Sequence, residues 1–343
     1  MYGNDRKEES EKKIMENKYE TMYKRSLIEN YIRSMLIKDN YIEVRTPIIN
    51  RYADIAPITQ FKVVSPLESS KLFLRIAPTE QLKKLIFYGY DKIFEFSTNF
   101  RDDSVDDSHL FEFTSLEIME KGTNVYDKMN QTEQIIKGCM NYCINNGFNN
   151  EFGEVFNFID RKWPRIDIIE YIIGNYGVNT VNNFSEDELI NIFSKLGIPK
   201  GMALEKNSII SFVVDSVLSN SETPVFIGDY PWDIEGPAKK SAILKGKERY
   251  ELYYKGLELA NMSSTLTDYN QLREWYFDTL SKKNEKENEN YLIDLELLDI
   301  FKQKLPESAV LGIGIDRLVM LLLNKEIISD VVCFDNKKKK ILK

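Results

Sequence analysis

The strongest constraint in this chain is a pair of alternating segments, each folded back on itself. KIFEFSTNFR and EFTSLEIME run at the two-residue period of strands and are joined by the polar stretch DDSVDDSHLF, which predicts a long antiparallel hairpin within residues 70–120. RYELYYKGLELAN repeats the pattern about a Lys255-Gly256 turn, after a strand in VFIGDYPWDI. A glycine-punctuated strand, AVLGIGID, then runs directly into the apolar helix RLVMLLLN. Helical spacing fills the intervals: Ile28, Tyr31, Ile32 and Met35 in a long charged N-terminal helix, Val125 to Asn146, and Ser185 to Leu196 behind a Ser185-x-x-Glu188 capping box. YIEVRTPII is a strand broken by Pro47. Strands, helices and strands again imply an α+β fold, a mainly antiparallel sheet flanked by helices.

Composition excludes several classes. With 46 Lys+Arg against 54 Asp+Glu and 43% hydrophobic residues, the chain is globular, and its net charge of −8 gives no overall attraction to nucleic acid or anionic membrane. No apolar run reaches the roughly 18 residues of a membrane span, and MYGNDRKEESEKK is not a signal peptide, so a cytoplasmic protein is expected. Cys139, Cys143 and Cys333 with one histidine suggest neither a disulfide framework nor a zinc site, and all three read as small buried hydrophobes. There is no GxxxxGK[ST] loop, and the G-x-G at Gly312 lacks the third glycine of a dinucleotide site.

Strand alternation sorts the polar residues. In the first hairpin Phe94, Phe96 and Phe100 share one face and Glu95, Asn99 and Arg101 the other; taken alone, that polar face reads as solvated surface. In the second, a two-residue turn sets Tyr253 opposite Glu258, with Glu251 diagonal to it on the same side. Two carboxylates within about 7–8 Å suit a shared hard cation, here Mg²⁺ accompanying a nucleotide. Gly312 and Gly314 allow close backbone approach, and Arg317 opens a helix against its macrodipole, which favours a functional reason for it. Two arginines and an acidic pair are what carboxylate attack on the α-phosphate of ATP needs, with no protein nucleophile. His109 in the polar loop is more simply a nucleotide or structural contact than a general base.

These segments together resemble the catalytic domain of class II aminoacyl-tRNA synthetases of the lysyl subgroup. YIEVRTPII resembles motif 1, IFEFSTNFRDDSVDDSHLFEFTSLE motif 2 and GIGIDRLVML motif 3, in the right order and spacing over about residues 25–335. DYPWDIEGPAKK and ERYELYYKGLELAN also fit the lysyl type. The resemblance implies ATP and Mg²⁺ as cofactors and a homodimer. It places Arg101 on the α-phosphate, Arg317 on the γ-phosphate and Phe113 on adenine, with Asp103, His109 and Glu112 around the nucleotide. Glu251 and Glu258 hold the metal, and Glu117 and Asn261 line the amino-acid pocket. It divides the chain into a charged helical extension (1–24), a catalytic domain (25–335) and a basic tail (336–343).

The departures shape the functional expectation. Motif 1 begins too early to leave room for an N-terminal anticodon-binding barrel, and the pattern is closest to the truncated lysyl paralogues that attach lysine to translation elongation factor P. Asp102, Asp103, Asp106 and Asp107 crowd the motif 2 loop and make tRNA an unfavourable partner. Thr265 and Thr79 stand where the family has acids facing lysine's amines, although Glu80 adjoins Thr79. Ser263 and Met119 replace aromatic residues, and Asp103 replaces a glutamate. The expectation is adenylation of a lysine-like or altered amino acid, with transfer to a protein lysine or a small amine. The alternatives are a catalytic-domain-only tRNA ligase, an asparagine synthetase-like amide ligase, or a non-catalytic amino-acid sensor.

Overall fold

The structure, a computed structural model, describes residues 2–56, 58–67, 71–148, 153–179, 181, 185–198, 206–231, 236–243 and 245–335. The basic tail at 336–343 lies outside the described residues, as do positions 232–235 of the DYPWDI stretch. Helix α1 (Tyr2–Lys38) leads into β1 (Ile42–Glu43) and β2 (Ile49–Asn50), with Pro47 in the break between them. β3 (Lys62–Val63) and β4 (Leu72–Leu74) join β2 in a small sheet of order β2-β4-β3. Then come α2 (Thr79–Phe87), the first hairpin β5 (Lys92–Phe100) and β6 (Glu112–Lys121), and α3 (Val125–Asn145). A side module follows: β7 (Arg165–Asp167), α4 (Ile168–Tyr176), α5 (Glu186–Leu196), α6 (Lys206–Ser219) and β8 (Val225–Gly228). The second hairpin, β9 (Arg249–Tyr254) and β10 (Leu257–Ser264), is followed by α7 (Tyr269–Glu287), α8 (Leu295–Lys302), β11 (Ser308–Gly314) and α9 (Ile315–Leu322).

Eight strands form one sheet in the order β1-β5-β6-β11-β10-β9-β8-β7, antiparallel except at its two ends, where β1 pairs with β5 and β7 with β8 in parallel. The mainly antiparallel α+β expectation is met. Both hairpins have the expected pairing, and Lys255 and Gly256 at φ 49° and 76° make the left-handed turn whose twist matches the strands. Ser185 caps α5 through the expected box with Glu188.

Alternation decides which face each residue occupies. Phe94, Leu116, Ile118, Leu311, Ile313 and Met262 point to one side, into a core closed by α1, α3 and α9. Ile28, Ile32 and Leu36 put one stripe of α1 into that core, while Tyr23, Ser26, Asn30 and Ser34 stay exposed on the opposite side. The other face carries Glu95, Ser97, Asn99, Ser115, Glu117, Asn261 and Glu251. It is not solvated: Glu95 is 2% and Asn99 1% exposed, because α2 and the β2-β4-β3 sheet lie over that end. Leu82 and Ile86 of α2 seal Ile93 and Met119 beneath them. The side module keeps a separate core built on Ile168, Ile172 and Val213. Cys139 and Cys143 are buried as expected; Cys333 is exposed, since it lies past α9 where nothing covers the chain. No helix among the described residues is long and apolar enough to cross a membrane.

One ion pair ties these layers together. Arg25 of α1 donates from Nη1 to Asp316 Oδ1 (2.6 Å) and to the Val331 carbonyl (2.7 Å), and Asp316 Oδ2 accepts the Thr114 N–H of β6 (2.8 Å). Asp316 is also well placed in the first turn of α9 to favour the helix dipole. Arg25→Ala leaves Asp316 buried and uncompensated, and is expected to lower the free energy of unfolding by about 3 kcal/mol in urea melts.

Candidate active site

The polar face of the sheet opens into a cavity of about 230 Å³ at the C-terminal end of β5. Residues paired in register stand side by side, so Glu95, Glu117, Gly312, Asn261 and Glu251 form one row across β5, β6, β11, β10 and β9, whose middle three line the cavity floor. That row depends on a bulge. Tyr253 pairs with Glu258 as the turn predicts, but the register slips between Glu258 and Ala260, so Asn261 rather than Ala260 faces Glu251. The extra residue brings Glu258 and Asn261, three positions apart, to the same face. Gly312 leaves room in the row for the Glu117 carboxylate, since a Cβ there would lie 3.0 Å from both of its oxygens.

Most polar groups on this face are already satisfied. Ser97 Oγ donates to Asn99 Oδ1 (2.5 Å), Asn99 Nδ2 to Ser115 Oγ (2.8 Å) and Ser115 Oγ to Glu117 Oε1 (2.7 Å). Beside this relay, buried Arg75 donates to Glu95 Oε1 (2.7 Å), to Thr46 Oγ1 (2.8 Å) and to the Thr98 carbonyl (2.9 Å). Glu251 accepts from Tyr230 (2.7 Å), Tyr253 (2.9 Å), Asn261 (3.0 Å) and Arg249.

Three groups stand apart. Arg101 follows β5 directly, with its guanidinium 5.0 Å from the Phe113 ring centroid, and its buried Nε has no hydrogen-bond partner. Burial lowers its pKa, with Glu258 opposing that trend and Arg317 adding to it. No hydrogen bond among the described residues engages the half-buried Glu258 carboxylate; burial and then repulsion from Glu251 raise its pKa. Among the described residues only one Glu117 oxygen accepts a hydrogen bond, and burial pushes the carboxyl up to about 7 against the pull of Ser115 and Arg101. A buried donor without a partner beside carboxylates whose charge burial disfavours is the arrangement expected where a charged ligand binds.

Arg317, on α9, reaches the same cavity. It donates from Nη1 to the Glu258 carbonyl (2.8 Å) and from Nε to the Ser108 carbonyl (3.3 Å), and its Nη2 meets His109 Nε2 at 2.8 Å. An arginine can only donate, so Nε2 accepts and Nδ1–H serves Asp106 (2.9 Å). His109 thus has no lone pair left for a base's work. The Ser108 N–H, and then His109, hold Asp106 down at about 2.

The structure gathers Arg101, Asp103, His109, Phe113, Glu117, Glu258, Asn261 and Arg317 around the cavity, with Glu251 immediately behind Asn261. It does not gather four other residues. Glu112 is exposed at the start of β6, outside the lining. Thr79 opens α2 without reaching the cavity. Glu80, turned about 100° further round the helix, lines a second cavity with Asp54, Lys84 and Asp294 and so does not replace an acid at 79. Thr265 lies four residues, about 13 Å, beyond Asn261 and accepts from Ser308 Oγ (3.0 Å). Sequence reading passed over Ser97, Ser115 and Arg75; the serines were recoverable from parity with Glu95 and Glu117, whereas Arg75 comes from another sheet. As to metal, no cluster of three or more candidate ligands occurs among the described residues. Glu258 beside Glu251 fits a cation completed by ligand oxygens, since repulsion from Glu251 adds to burial in disfavouring the charged Glu258 carboxylate.

A family model described as tRNA synthetases class II (D, K and N) matches residues 9–338. The chain is similar to the lysine–tRNA ligase of Buchnera aphidicola subsp. Acyrthosiphon pisum, 31% identical over 331 residues, which cover 94% of this chain and 64% of that one. It is likewise similar to that of Porphyromonas gingivalis, at 33% over 320 residues (92% and 54%), and that of Mycoplasmopsis synoviae, at 30% over 330 residues (95% and 66%). The chain therefore spans between 54% and 66% of the length of these curated relatives.

The raised Glu117 carboxyl gives the fold a definite pH dependence. The folded state holds this proton more tightly than the unfolded chain does, about 7 against 4.5, so stability is lost as pH rises through that window. Glu117→Gln removes the effect. Relative to the parent protein it is expected to gain about 2 kcal/mol between pH 5 and pH 8, read from urea melts at both values.

Proposed function

The chain belongs to the class II tRNA synthetase family of the D, K and N group, and on that premise we propose that it activates an amino acid with ATP and Mg²⁺ and passes the acyl group to an amine rather than to tRNA. The observation that carries the reading is the buried, unpartnered Nε of Arg101, a residue that lines the same cavity as Arg317. In adenylation the substrate carboxylate attacks the α-phosphorus, a C–O–P link forms, the α–β phosphoanhydride breaks and pyrophosphate leaves. No protein nucleophile or base is needed; charge on the phosphoryl oxygens must be met by fixed donors. Arg101 supplies such donors at the α-phosphate and Arg317 at the γ-phosphate, exchanging its contact with His109 for a phosphate oxygen. Phe113 offers a ring for adenine, and Asp103 and His109 border the nucleotide, whereas Glu112 stays outside it. Glu251 and Glu258 would hold Mg²⁺, which when bound neutralises phosphate charge and orients the triphosphate.

Support for an amine acceptor comes from the loop at the cavity mouth. Asp102, Asp103, Asp106 and Asp107 are all exposed there, and Asp106 stays ionised well below neutral pH. Such a rim repels a phosphodiester chain and attracts an ammonium group. A homodimer is proposed across edge strand β1, where exposed Ile42, Tyr88 and Tyr90 border one surface depression.

Amino-acid-dependent exchange of pyrophosphate into ATP tests the reaction. Arg101→Ala and Arg317→Ala are each expected to lower exchange by about a hundredfold or more with unchanged circular dichroism. Wild-type exchange in either variant contradicts the assigned roles. Efficient charging of total tRNA, with no transfer to amines, would displace the proposed acceptor.

A further inference from the structure

Resting on the adenylation reading, we infer that the substrate is an α-amino acid with a small uncharged side chain, held by its own zwitterion between Arg101 and Glu117. The amino-acid end of the cavity is short. Its floor is the row Glu117, Gly312 and Asn261, with Ile76 and Ala77 as walls. One step further along the same face, the next row is Ile93, Met119, Val310, Ser263 and Arg249. None of these lines the cavity. Ile93 and Met119 are fully buried under Leu82 and Ile86 of α2, so on the β5–β6 side, beneath α2, the space ends at the Glu117 row.

The charges at that end match the two termini of an amino acid. Arg101 presents an unpartnered Nε and Glu117 a carboxylate oxygen without a protein donor, and the two side chains are close enough to influence each other's charge. An α-carboxylate at Arg101 stands next to the nucleotide it must attack, and the α-ammonium beside it completes Glu117. Both polar ends are then satisfied, and what remains for the side chain is the gap bounded by Ile76, Ala77 and the absent Cβ of Gly312. A long cationic side chain meets the opposite of what it needs. The row past Glu117 contains no acid, and the charged residue at its end is Arg249, bound to Glu251. An ammonium pushed there would be desolvated without a partner and repelled.

The test is pyrophosphate exchange by the intact protein with glycine, alanine and serine set against lysine, ornithine and arginine, with ATP·Mg²⁺ binding measured in parallel. The expected result is a kcat/KM at least tenfold higher for one of the small amino acids than for any of the cationic ones. Higher kcat/KM for lysine, or for any long side chain, overturns this inference and leaves adenylation standing. No exchange with any amino acid, beside intact ATP·Mg²⁺ binding, overturns both. In Glu117→Gln the KM for the small amino acid is expected to rise at least tenfold while the KM for ATP stays within twofold. An unchanged amino-acid KM removes Glu117 from the ammonium site and overturns the inference.

Discussion

A sheet face that is both buried and polar must find a partner for nearly every donor and acceptor it carries, because an orphaned group in such surroundings costs about 1–3 kcal/mol. The arrangement around the cavity follows from that requirement. The Ser97, Asn99, Ser115 and Glu117 relay runs across two strands, the Arg75 pair fastens Glu95 to Thr46, and four donors converge on Glu251. Against this satisfied background the exceptions carry information. Arg101 Nε, the Glu258 carboxylate and the second oxygen of Glu117 are those exceptions, one cationic donor and two acids without a full set of partners among the described residues, and the proposed substrate is drawn from their charges.

The same economy governs the scaffold. Asp54 accepts the Ile76 N–H (2.6 Å) and a Gln60 amide hydrogen, and so fixes the Ile76–Ala77 segment that walls the cavity. Burial pushes Asp54 up to about 6 and Glu80 up to about 7, with Lys283 and Lys83 respectively as opposing cations. Lys84 bridges Asp294 (2.9 Å) and Glu296 (2.7 Å), linking α2 to α8. The helix that seals the amino-acid end of the cavity is therefore held from behind by charge and from the front by the Leu82–Ile86 contact with Met119. On the far side of the sheet, Arg25 and Asp316 connect α1, α9 and β6, so the helix that carries Arg317 is anchored independently of any ligand.

Strand parity was legible because it is local: the two-residue period assigned Glu95, Asn99 and Arg101 to one face and placed Tyr253 opposite Glu258 before any tertiary contact was known. The Ser185 box and the Lys255-Gly256 turn were legible for the same reason. Whether a polar face is wet or buried is a different kind of question. Nothing within KIFEFSTNFR says that α2 and a second sheet will cover it. Glu80 illustrates the limit from another side: adjacency in sequence to Thr79 meant a separate cavity in space, since one residue of helix turns a side chain about 100°.

The chain by itself therefore determined the pairing of its hairpins, the sidedness of its strands and the family of motifs that bring two arginines and two glutamates into one domain, all of which follow from short-range periodicity and turn geometry. Tertiary structure alone decided that the β10 bulge would align Asn261 with Glu251, that Arg75 from another sheet would neutralise Glu95, and that α2 would close the space beyond Glu117. Those outcomes depend on residues 10, 20 and more positions apart meeting at close packing, a contact that the two-residue strand period does not encode.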